Sequence, residues 1–574
     1  MTAMIADDIR RSIIAALKGF DFPAADIHLE HPADILHGDY ASNVALVLAK
    51  SQGGNPKDVA EKVVRYIEQN KPKEIEKIEI AGPGFINFFL SREFFADSVK
   101  EILEAGKGWG KNETLSGKKV MVEYTDPNPF KEFHIGHLMS NAIGESISRL
   151  IEFSGAEVKR ANYQGDVGLH VAKALWGKLK QPELSWGKAY ALGAQSFEQD
   201  EEAKKEIREI NIEIYESLYG EGSRNRKLLD LYSEGTAESF KEFEKIYRKL
   251  GTFNEQTGEA FDYYYFESYS GVYGKRIVEE HPEIFEKSDG AIVFHGEQEG
   301  LHTRVFVNSD GIPTYEAKEI GLAFLKEKGK AESEGFSADL SISVTGNEIV
   351  EYFKVVLAAL RRIDAKLAEK IVHIPHGMLR LPTGKMSSRT GDVVTAESLI
   401  EEVSEKIREK MSERAAGKGE EAIEAIAIGA IKYSILRQGT KSDVIFDFEK
   451  SVSFEGDSGP YLQYAATRAH SVLEKAATTG RVPNVQHSVL NIADIERLLY
   501  RFPEVVLRAA REYEPHYVAT FLTELAGAFN SWYAKEQIID DSPQSPYKLA
   551  LTKAFHQTMK NGLYLLGIKT PERM

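Results

Sequence analysis

Two short groups of residues carry the types and order that phosphate chemistry needs. The first is His134-Ile135-Gly136-His137. A helix N-terminus offers unpaired N–H groups and partial positive charge, which suit phosphate. Imidazoles placed there can donate hydrogen bonds to a phosphoryl group as charge develops on it. Gly136 would let a base or ribose approach the backbone closely. The second group is Lys385-Met386-Ser387-Ser388-Arg389, directly after Leu381-Pro382-Thr383-Gly384. A lysine on a Gly/Ser loop can neutralise phosphate charge in a transition state and then withdraw, and Ser387 and Ser388 can donate to phosphate oxygens. Each group alone has a plainer reading. The histidines would only cap and pack a helix start, and the loop would be a solvated basic segment.

The elements around them favour the chemical reading. Residues 119–124 (KVMVEY) read as a β-rich run, 137–153 have helical spacing, and 156–163 are a second strand. Strand, helix and strand so close together predict a βαβ unit with a right-handed crossover. The pattern returns as a strand at 339–344, a helix at 347–363 and a strand at 371–381. These are read as two halves of one nucleotide-binding sheet, a fold that binds ligands beyond its strand ends. Met378 lies in the strand before the lysine loop. Between the halves, residues 171–299 are charged and read as a largely helical insertion, whose segment QDEEAKKEIREINIEIYESLY is most simply a solvated helix face. From about Glu397 the chain reads helical. Residues 1–112 form a separate unit in which Ala81-Gly82-Pro83-Gly84 is a turn leading into FINFFL, and 106–118 read as a linker.

Bulk properties set the limits. The 574 residues exceed what one core serves, which predicts roughly three or four domains. No apolar run suffices for a membrane span, and Asp7 and Asp8 interrupt what would otherwise be a signal-peptide core. There are no cysteines, which excludes disulfides and thiolate zinc sites. A net charge of −16 argues against indiscriminate polyanion binding, though local patches decide contact.

In this order, the His134–His137 and Lys385–Arg389 groups resemble the signature pair of class I aminoacyl-tRNA synthetases, with Ser388 where a second lysine is usual. Further segments resemble the arginyl family. Glu123-Tyr124-Thr125-Asp126-Pro127-Asn128 and Lys131 lead into the histidines. Arg160-Ala161-Asn162-Tyr163-Gln164-Gly165-Asp166-Val167-Gly168 is similar to R-x-N-x-x-G-D-W-G, with Val167 where tryptophan is common. His37-Gly38-Asp39-Tyr40-Ala41-Ser42-Asn43, Tyr461-Leu462-Gln463-Tyr464-Ala465 with Arg468, and Gly562-Leu563-Tyr564-Leu565-Leu566-Gly567-Ile568 extend the likeness over essentially the whole chain.

The resemblance implies a multidomain α/β fold. It comprises an α+β N-terminal additional domain (1–112), a Rossmann-type parallel-sheet catalytic domain (113–395) with the insertion, a helical linker (396–455) and an all-α anticodon-binding bundle (456–574). It implies ATP-dependent formation of arginyl-adenylate and transfer to the 3′-terminal ribose of tRNA(Arg), with activation requiring bound tRNA. His134, His137, Lys385 and Lys131 are the expected catalytic residues. His134, Gly136, His137, Met378, Lys385, Met386, Ser387 and Ser388 are expected at ATP. For Lys131, a plain surface lysine is the rival reading.

A guanidinium is planar and always charged, so its pocket needs carboxylates that accept bidentate hydrogen bonds. The resemblance assigns Glu123, Glu267, Glu319, Tyr315 and Asn128 to arginine. Tyr315 and Glu319 stand one helical turn apart. Two positions depart from the family pattern: Glu319 replaces the usual aspartate, and Ile349 falls where a glutamine is common. For Glu123 and Glu267 the plain alternative is an ordinary ion pair.

Charge segregates along the chain. Lys354 to Arg389 holds eight Lys/Arg against two Asp/Glu, and Gly459 to Met574 thirteen against eleven. Such an imbalance suits an RNA-facing side in an acidic protein. The expected RNA contacts are Phe85 and Asn87 near the tRNA elbow, and Tyr461, Gln463, Tyr464 and Arg468 in the bundle, where aromatic rings can stack on unpaired bases. Core packing is the competing role for these rings. The expected partners are tRNA(Arg), L-arginine and ATP with its Mg2+, without zinc or another protein-held metal and without a membrane, in a cytoplasmic monomer. Rival readings are a small nucleotidylyltransferase, which would lack the bundle, a non-catalytic synthetase-like RNA-binding protein, and another class I specificity.

Overall fold

The computed structural model describes residues 5–23, 26–219, 225–252, 257–329, 335–382, 394–412, 419–486 and 493–572. The chain divides into two compact units. One comprises Met1–Asn112, Ala465–Leu507 and Phe521–Asn561, the other Glu113–Tyr464, Arg508–Thr520 and Gly562–Met574.

The first unit opens with α1 (Ile5–Gly19), β1 (Leu29–Glu30), β2 (Tyr40–Ser42), α2 (Val44–Gln52), α3 (Pro56–Gln69), β3 (Ile75–Ala81), β4 (Phe85–Leu90) and α4 (Arg92–Ala105). Pro56 starts α3 and Asn55 caps it through Lys57 N–H, a favoured helix entry. The strands form an antiparallel sheet in the order β1-β2-β4-β3. Ile9, Ile13, Val63, Ile67, Ile86 and Phe88 meet in its core.

The second unit is built on a five-stranded sheet. Its elements begin with β5 (Lys119–Glu123), α5 (Ile135–Phe153) and β6 (Glu157–Gln164), followed by helices α6 (Leu169–Lys180), α7 (Trp186–Gln199), α8 (Glu201–Tyr219) and α9 (Arg226–Leu250). Then come β7 (Tyr263–Phe266), α10 (Glu267–Glu280), β8 (Glu286–Ser288), β9 (Ala291–Phe294), β10 (Arg304–Val307) and α11 (Tyr315–Lys328). The second half is β11 (Leu340–Gly346), α12 (Val350–Ile363), α13 (Ala365–Glu369) and β12 (Ile371–His376). The sheet order is β12-β11-β5-β6-β7, all parallel. The order reverses between β5 and β11, so the crevice beyond their carboxyl ends is the place for a ligand. This is the doubly wound sheet expected from the two βαβ patterns.

Two local expectations change. The stretch 171–299 is largely helical, through α6 to α10, but it also holds β7, which pairs with β6 in the main sheet, and β8 and β9, which join β10 in an antiparallel sheet. The tyrosine run Tyr263-Tyr264-Tyr265 is β-forming, and the charged helices before it masked that signal. The strand predicted over 371–381 breaks at Gly377, whose N–H donates to Thr440 O, and β13 (Leu379–Arg380) turns to a different partner.

That partner arrives after α14 (Ala396–Ser412) and α15 (Glu420–Leu436) as β14 (Val444–Ile445). The chain continues as α16 (Phe448–Ser451), α17 (Gly459–Thr478), α18 (Asp494–Leu499), α19 (Phe502–Glu512), α20 (His516–Lys535) and α21 (Ser545–Leu565). Among the described residues, no helix is long and apolar enough to cross a membrane.

Within the first unit the His37–Asn43 segment has a structural task. Asp39 is 1% exposed, accepts from Leu90 N–H at 2.8 Å and pairs with Arg497 of α18. The Tyr40 hydroxyl meets Glu504 of α19 at 2.5 Å.

Helix α5 is buried on nearly every side, polar residues included. Its charged groups are satisfied internally. Glu145 accepts from Tyr124 at 2.5 Å, Arg149 at 2.7 Å and Arg160 at 2.9 Å. Burial opposes its ionisation, yet Arg160 and Arg149 outweigh burial and hold the carboxyl down at about 2.

Candidate active site

The loop from β5 to α5 is built under strain. Thr125, Asp126 and Phe130 all adopt left-handed backbone, with φ of 79°, 44° and 69°. Each such residue costs roughly 1–3 kcal/mol and persists only when its surroundings hold it. Here they do. Thr125 N–H donates to Ser140 Oγ at 2.9 Å, Phe130 N–H to Ser239 Oγ at 2.9 Å, and Asp126 accepts from Tyr163 N–H at 2.7 Å.

The loop delivers the two histidines. His134 is the N-cap of α5, and its Nδ1 accepts from the N–H groups of Gly136 and His137 at 3.1 and 3.4 Å. His137 Nδ1 in turn accepts from His134 N–H at 3.3 Å. The rings stack with centroids 3.6 Å apart. A backbone N–H can only donate, so each Nδ1 is an acceptor and each neutral ring carries its proton on Nε2. Burial, and then the charge of Lys131, hold His134 at about 4. Burial, His134 and Lys131 push His137 well below its usual value. At neutral pH the pair is therefore two uncharged Nε2–H donors on a helix N-terminus.

Lys131 lies in the same cluster. It is half-buried with Nζ 5.1 Å from the Tyr190 ring, and burial and Lys173 lower its pKa while Glu267 opposes them. It also depresses His170, which is held at about 3 chiefly by burial.

Lys385, Met386, Ser387, Ser388 and Arg389 lie outside the described residues. The chain that follows them is fixed to the histidine loop. Ile135 N–H donates to Val394 O at 3.2 Å, Ala396 N–H donates to Phe133 O at 2.8 Å, and His134 bridges Thr395. Met378 is half-buried, with its N–H on Asp443 Oδ1 at 2.9 Å.

Beyond the carboxyl end of β5, acidic groups accumulate. Glu123, Asp126 and Glu319 interact electrostatically around one cation, Lys326. Burial first, and then Glu123, raise both partners: Asp126 goes well above the usual range, and Glu319 is pushed up to about 8. Lys326 lies 2.6 Å from Glu123. Glu267, at the start of α10, is buried and pairs with Lys318 of α11 at 2.5 Å. Asn128 lies beside it: a Cβ added to Gly165 would stand 2.2 Å from Asn128 Oδ1 and 3.4 Å from Glu267 Oε1. Tyr315 is 56% exposed, with its ring 5.0 Å from Lys318 Nζ. The structure thus places Glu123 with Glu319, and Asn128 with Glu267, while Tyr315 presents itself to solvent.

At the Ile349 position the chain forms a single 3-10 turn (Asn347–Ile349), with Asn347 and Glu348 exposed. Three residues on, Tyr352 of α12 feels Glu319: burial and then that carboxylate raise its phenol. Lys318, Lys326, Asp126 and Tyr352 went unassigned in the sequence. Spacing held a signal for Lys326, which follows Glu319 by seven residues, two helical turns on one face. Among the described residues no group of three or more His, Asp or Glu is arranged to hold a metal ion.

The residues expected at RNA belong to other elements. Phe85 is half-buried at the start of β4, and Asn87 is buried between Ala41 and Glu79 on the neighbouring strands. Tyr461 and Tyr464 are half-buried on α17, and Tyr464 meets Phe454 edge-on at 6.4 Å. Gln463 is fully buried and donates to Ala425 O and Lys569 O at 3.1 and 2.8 Å. Arg468 donates to Asn530 Oδ1 at 2.6 Å, with its guanidinium 5.3 Å from the Tyr533 ring.

Three family descriptions match the chain. Residues 98–448 match the tRNA synthetases class I (R) catalytic domain, 462–574 the DALR anticodon binding domain, and 4–90 the arginyl tRNA synthetase N-terminal domain. The arginine–tRNA ligase of Treponema denticola is 31% identical over 96% of this chain and 95% of its own length. That of Clostridium perfringens is 31% identical over 95% of this chain and 96% of its own. The solved arginyl-tRNA synthetase of Thermus thermophilus superposes with a TM-score of 0.78 at 25% identity, covering all of both chains. The fold is also that of the Plasmodium falciparum enzyme, with a TM-score of 0.77 at 20% identity.

Proposed function

This chain belongs to the class I arginyl-tRNA synthetases, and from that premise we propose how its residues divide the work. The enzyme is an arginine–tRNA ligase that consumes ATP. An oxygen of the arginine carboxylate attacks the α-phosphorus of ATP, which enters as its magnesium complex. The bond to the bridging oxygen breaks and diphosphate leaves. A hydroxyl of the 3′-terminal tRNA ribose then attacks the carbonyl carbon of the adenylate, forming the ester and releasing AMP and a proton.

His134 and His137 donate their Nε2–H groups to the phosphate as its charge rises, and Gly136 makes room for the nucleoside. Lys385 and Lys131 neutralise the departing phosphates, while Met378, Met386, Ser387 and Ser388 complete the nucleotide site. Glu123, Glu267, Glu319 and Tyr315 face the guanidinium end of arginine, and Asn128 its α-amino or carboxylate end. Phe85 and Asn87 serve the tRNA elbow, and Tyr461, Tyr464 and Arg468 the anticodon, while Gln463 ties their helix inward through Ala425 O and Lys569 O. The domains divide near 112, 395 and 455. Activation waits for bound tRNA, and the enzyme works as a cytoplasmic monomer.

The observation that carries this reading is the excess of carboxylate at the switch point: Glu123, Asp126 and Glu319 gather around one lysine. Such a pocket has carboxylates to spare that can ionise against one planar cation. The test is ATP–diphosphate exchange with each of the twenty amino acids, with and without tRNA. Exchange with arginine alone, and only when tRNA is present, is expected. Exchange with another amino acid removes the specificity, and full exchange without tRNA removes the tRNA requirement.

A further inference from the structure

The Gly562–Ile568 segment matches no part of the chemistry above, yet the second unit holds it against the helix that carries the histidines. Helix α21 ends at Leu565, and Gly567 turns the chain with φ of 64°. The last carbonyls of a helix have no partner within it and carry partial negative charge. Here α5 supplies the partners. Arg149 donates to Tyr564 O at 2.8 Å and Ser146 to Leu565 O at 2.7 Å. The end of α9 meets the same groups: Arg149 also donates to Gly251 O at 2.9 Å, and Lys432 of α15 donates to Leu250 O at 2.7 Å and Gly567 O at 2.9 Å. Two helix C-termini thus converge on two buried basic side chains: Arg149, paired with Glu145, and Lys432, which burial and then Arg149 bring down to about 7. A Cβ at Gly567 would stand 2.8 Å from Lys432 Nζ, which leaves no room for a side chain there.

We propose that Arg149 and Lys432 are positioning residues for adenylate formation: by fixing the ends of α9 and α21 to the flank of α5, they set the axis of the helix whose first turn presents His134 and His137. This rests on the reading that those histidines act on the phosphate. Arg149 follows His134 by fifteen residues, about 22 Å along a helix. A tilt of about 3° at that lever displaces the imidazoles by about 1 Å, enough to cost on the order of a hundredfold in rate.

The experiment compares Arg149→Met, Lys432→Met, Ser146→Ala and the conservative Arg149→Lys with wild type in the full-length enzyme. With tRNA present, arginine-dependent ATP–diphosphate exchange is measured per titrated active site, together with KM for arginine and the melting temperature. The two methionine variants should lose about tenfold to a hundredfold in kcat, with KM for arginine within twofold. Ser146→Ala should lose less, and Arg149→Lys should recover part of the loss. If the variants melt earlier but keep wild-type kcat per active site, the lock is structural only and the proposal falls. Wild-type enzyme that failed to exchange with arginine would instead overturn the functional reading, so the two failures are distinct.

Discussion

Lys326 Nζ stands 2.6 Å from a carboxylate oxygen of Glu123, and both side chains are buried. A residue expected to meet the substrate guanidinium already holds an internal cation. The acceptors left over for arginine are Glu319 and Asp126, both raised by burial and then by Glu123, which can ionise against a guanidinium.

Removing that cation should expose the arrangement. Lys326→Met leaves Glu123 buried among like charges, and breaking such a pair typically costs about 3–5 kcal/mol. The melting temperature should drop, and added L-arginine should restore more of it than it adds to wild type, because the guanidinium replaces the lost charge. Equal arginine-induced shifts in the two proteins would show that ligand and lysine do not share the site.

The pocket should also be proton-linked. Burial and Glu123 keep Glu319 protonated up to about 8, whereas a guanidinium favours its ionised form. The arginine dissociation constant should therefore fall as pH rises from 6.5 through 8 and then level. In the empty enzyme the sign is opposite for stability: a carboxyl raised from its ordinary 4.5 contributes at low pH and loses that contribution as pH climbs through 8. Calorimetric titration of Glu319→Gln should show no such pH dependence.

The histidine pair permits a separation of cap from catalysis. In His134→Asn the side-chain oxygen can still cap α5, since asparagine is a good N-cap, but the Nε2–H donor is gone. Melting should stay near wild type while kcat falls about 10²- to 10³-fold, the usual loss for one oxyanion donor. His134→Ala should lose the same activity and about 1 kcal/mol of stability besides. Because the folded ring is held at about 4, the stability it contributes is full above the ordinary histidine value of 6.5 and is lost as pH falls toward 4. The acid limb of kcat should likewise sit near 4.

Gly165→Ala would drive a methyl group to 2.2 Å from Asn128 Oδ1. Displacing Asn128 should raise KM for arginine at least tenfold and leave KM for tRNA unchanged. Steady-state kinetics with each substrate varied in turn would decide it, and a parallel rise in both constants would relocate Asn128 to a general structural role.

Much of this was legible in residue types and spacing. The two βαβ patterns predicted the doubly wound sheet, because strands buried on both faces are short apolar runs between helices of clear period. The histidine motif predicted its own place at a helix start, since its residues create the N-cap. What escaped the sequence depends on distant partners. The β7 run was hidden behind four charged helices, and Gly377 breaks β12 only because Thr440 comes to meet it. Lys326 and Lys318 are ordinary helical lysines until the fold sets Glu123 and Glu267 beside them. Gln463, expected at RNA, turns inward because the carbonyls of Ala425 and Lys569 need a donor.

The mutual capping of His134 and His137 has one more consequence. Both Nδ1 atoms are committed to backbone N–H groups and both Nε2 atoms already carry hydrogen. Neither ring has a vacant lone pair with which to receive a proton unless the first turn of α5 unwinds. The pair can steady a growing negative charge but cannot serve as a base. The proton shed by the ribose hydroxyl during transfer must therefore go to a group other than these imidazoles, such as the adenylate phosphate or water, and the ester-forming step should not titrate with them.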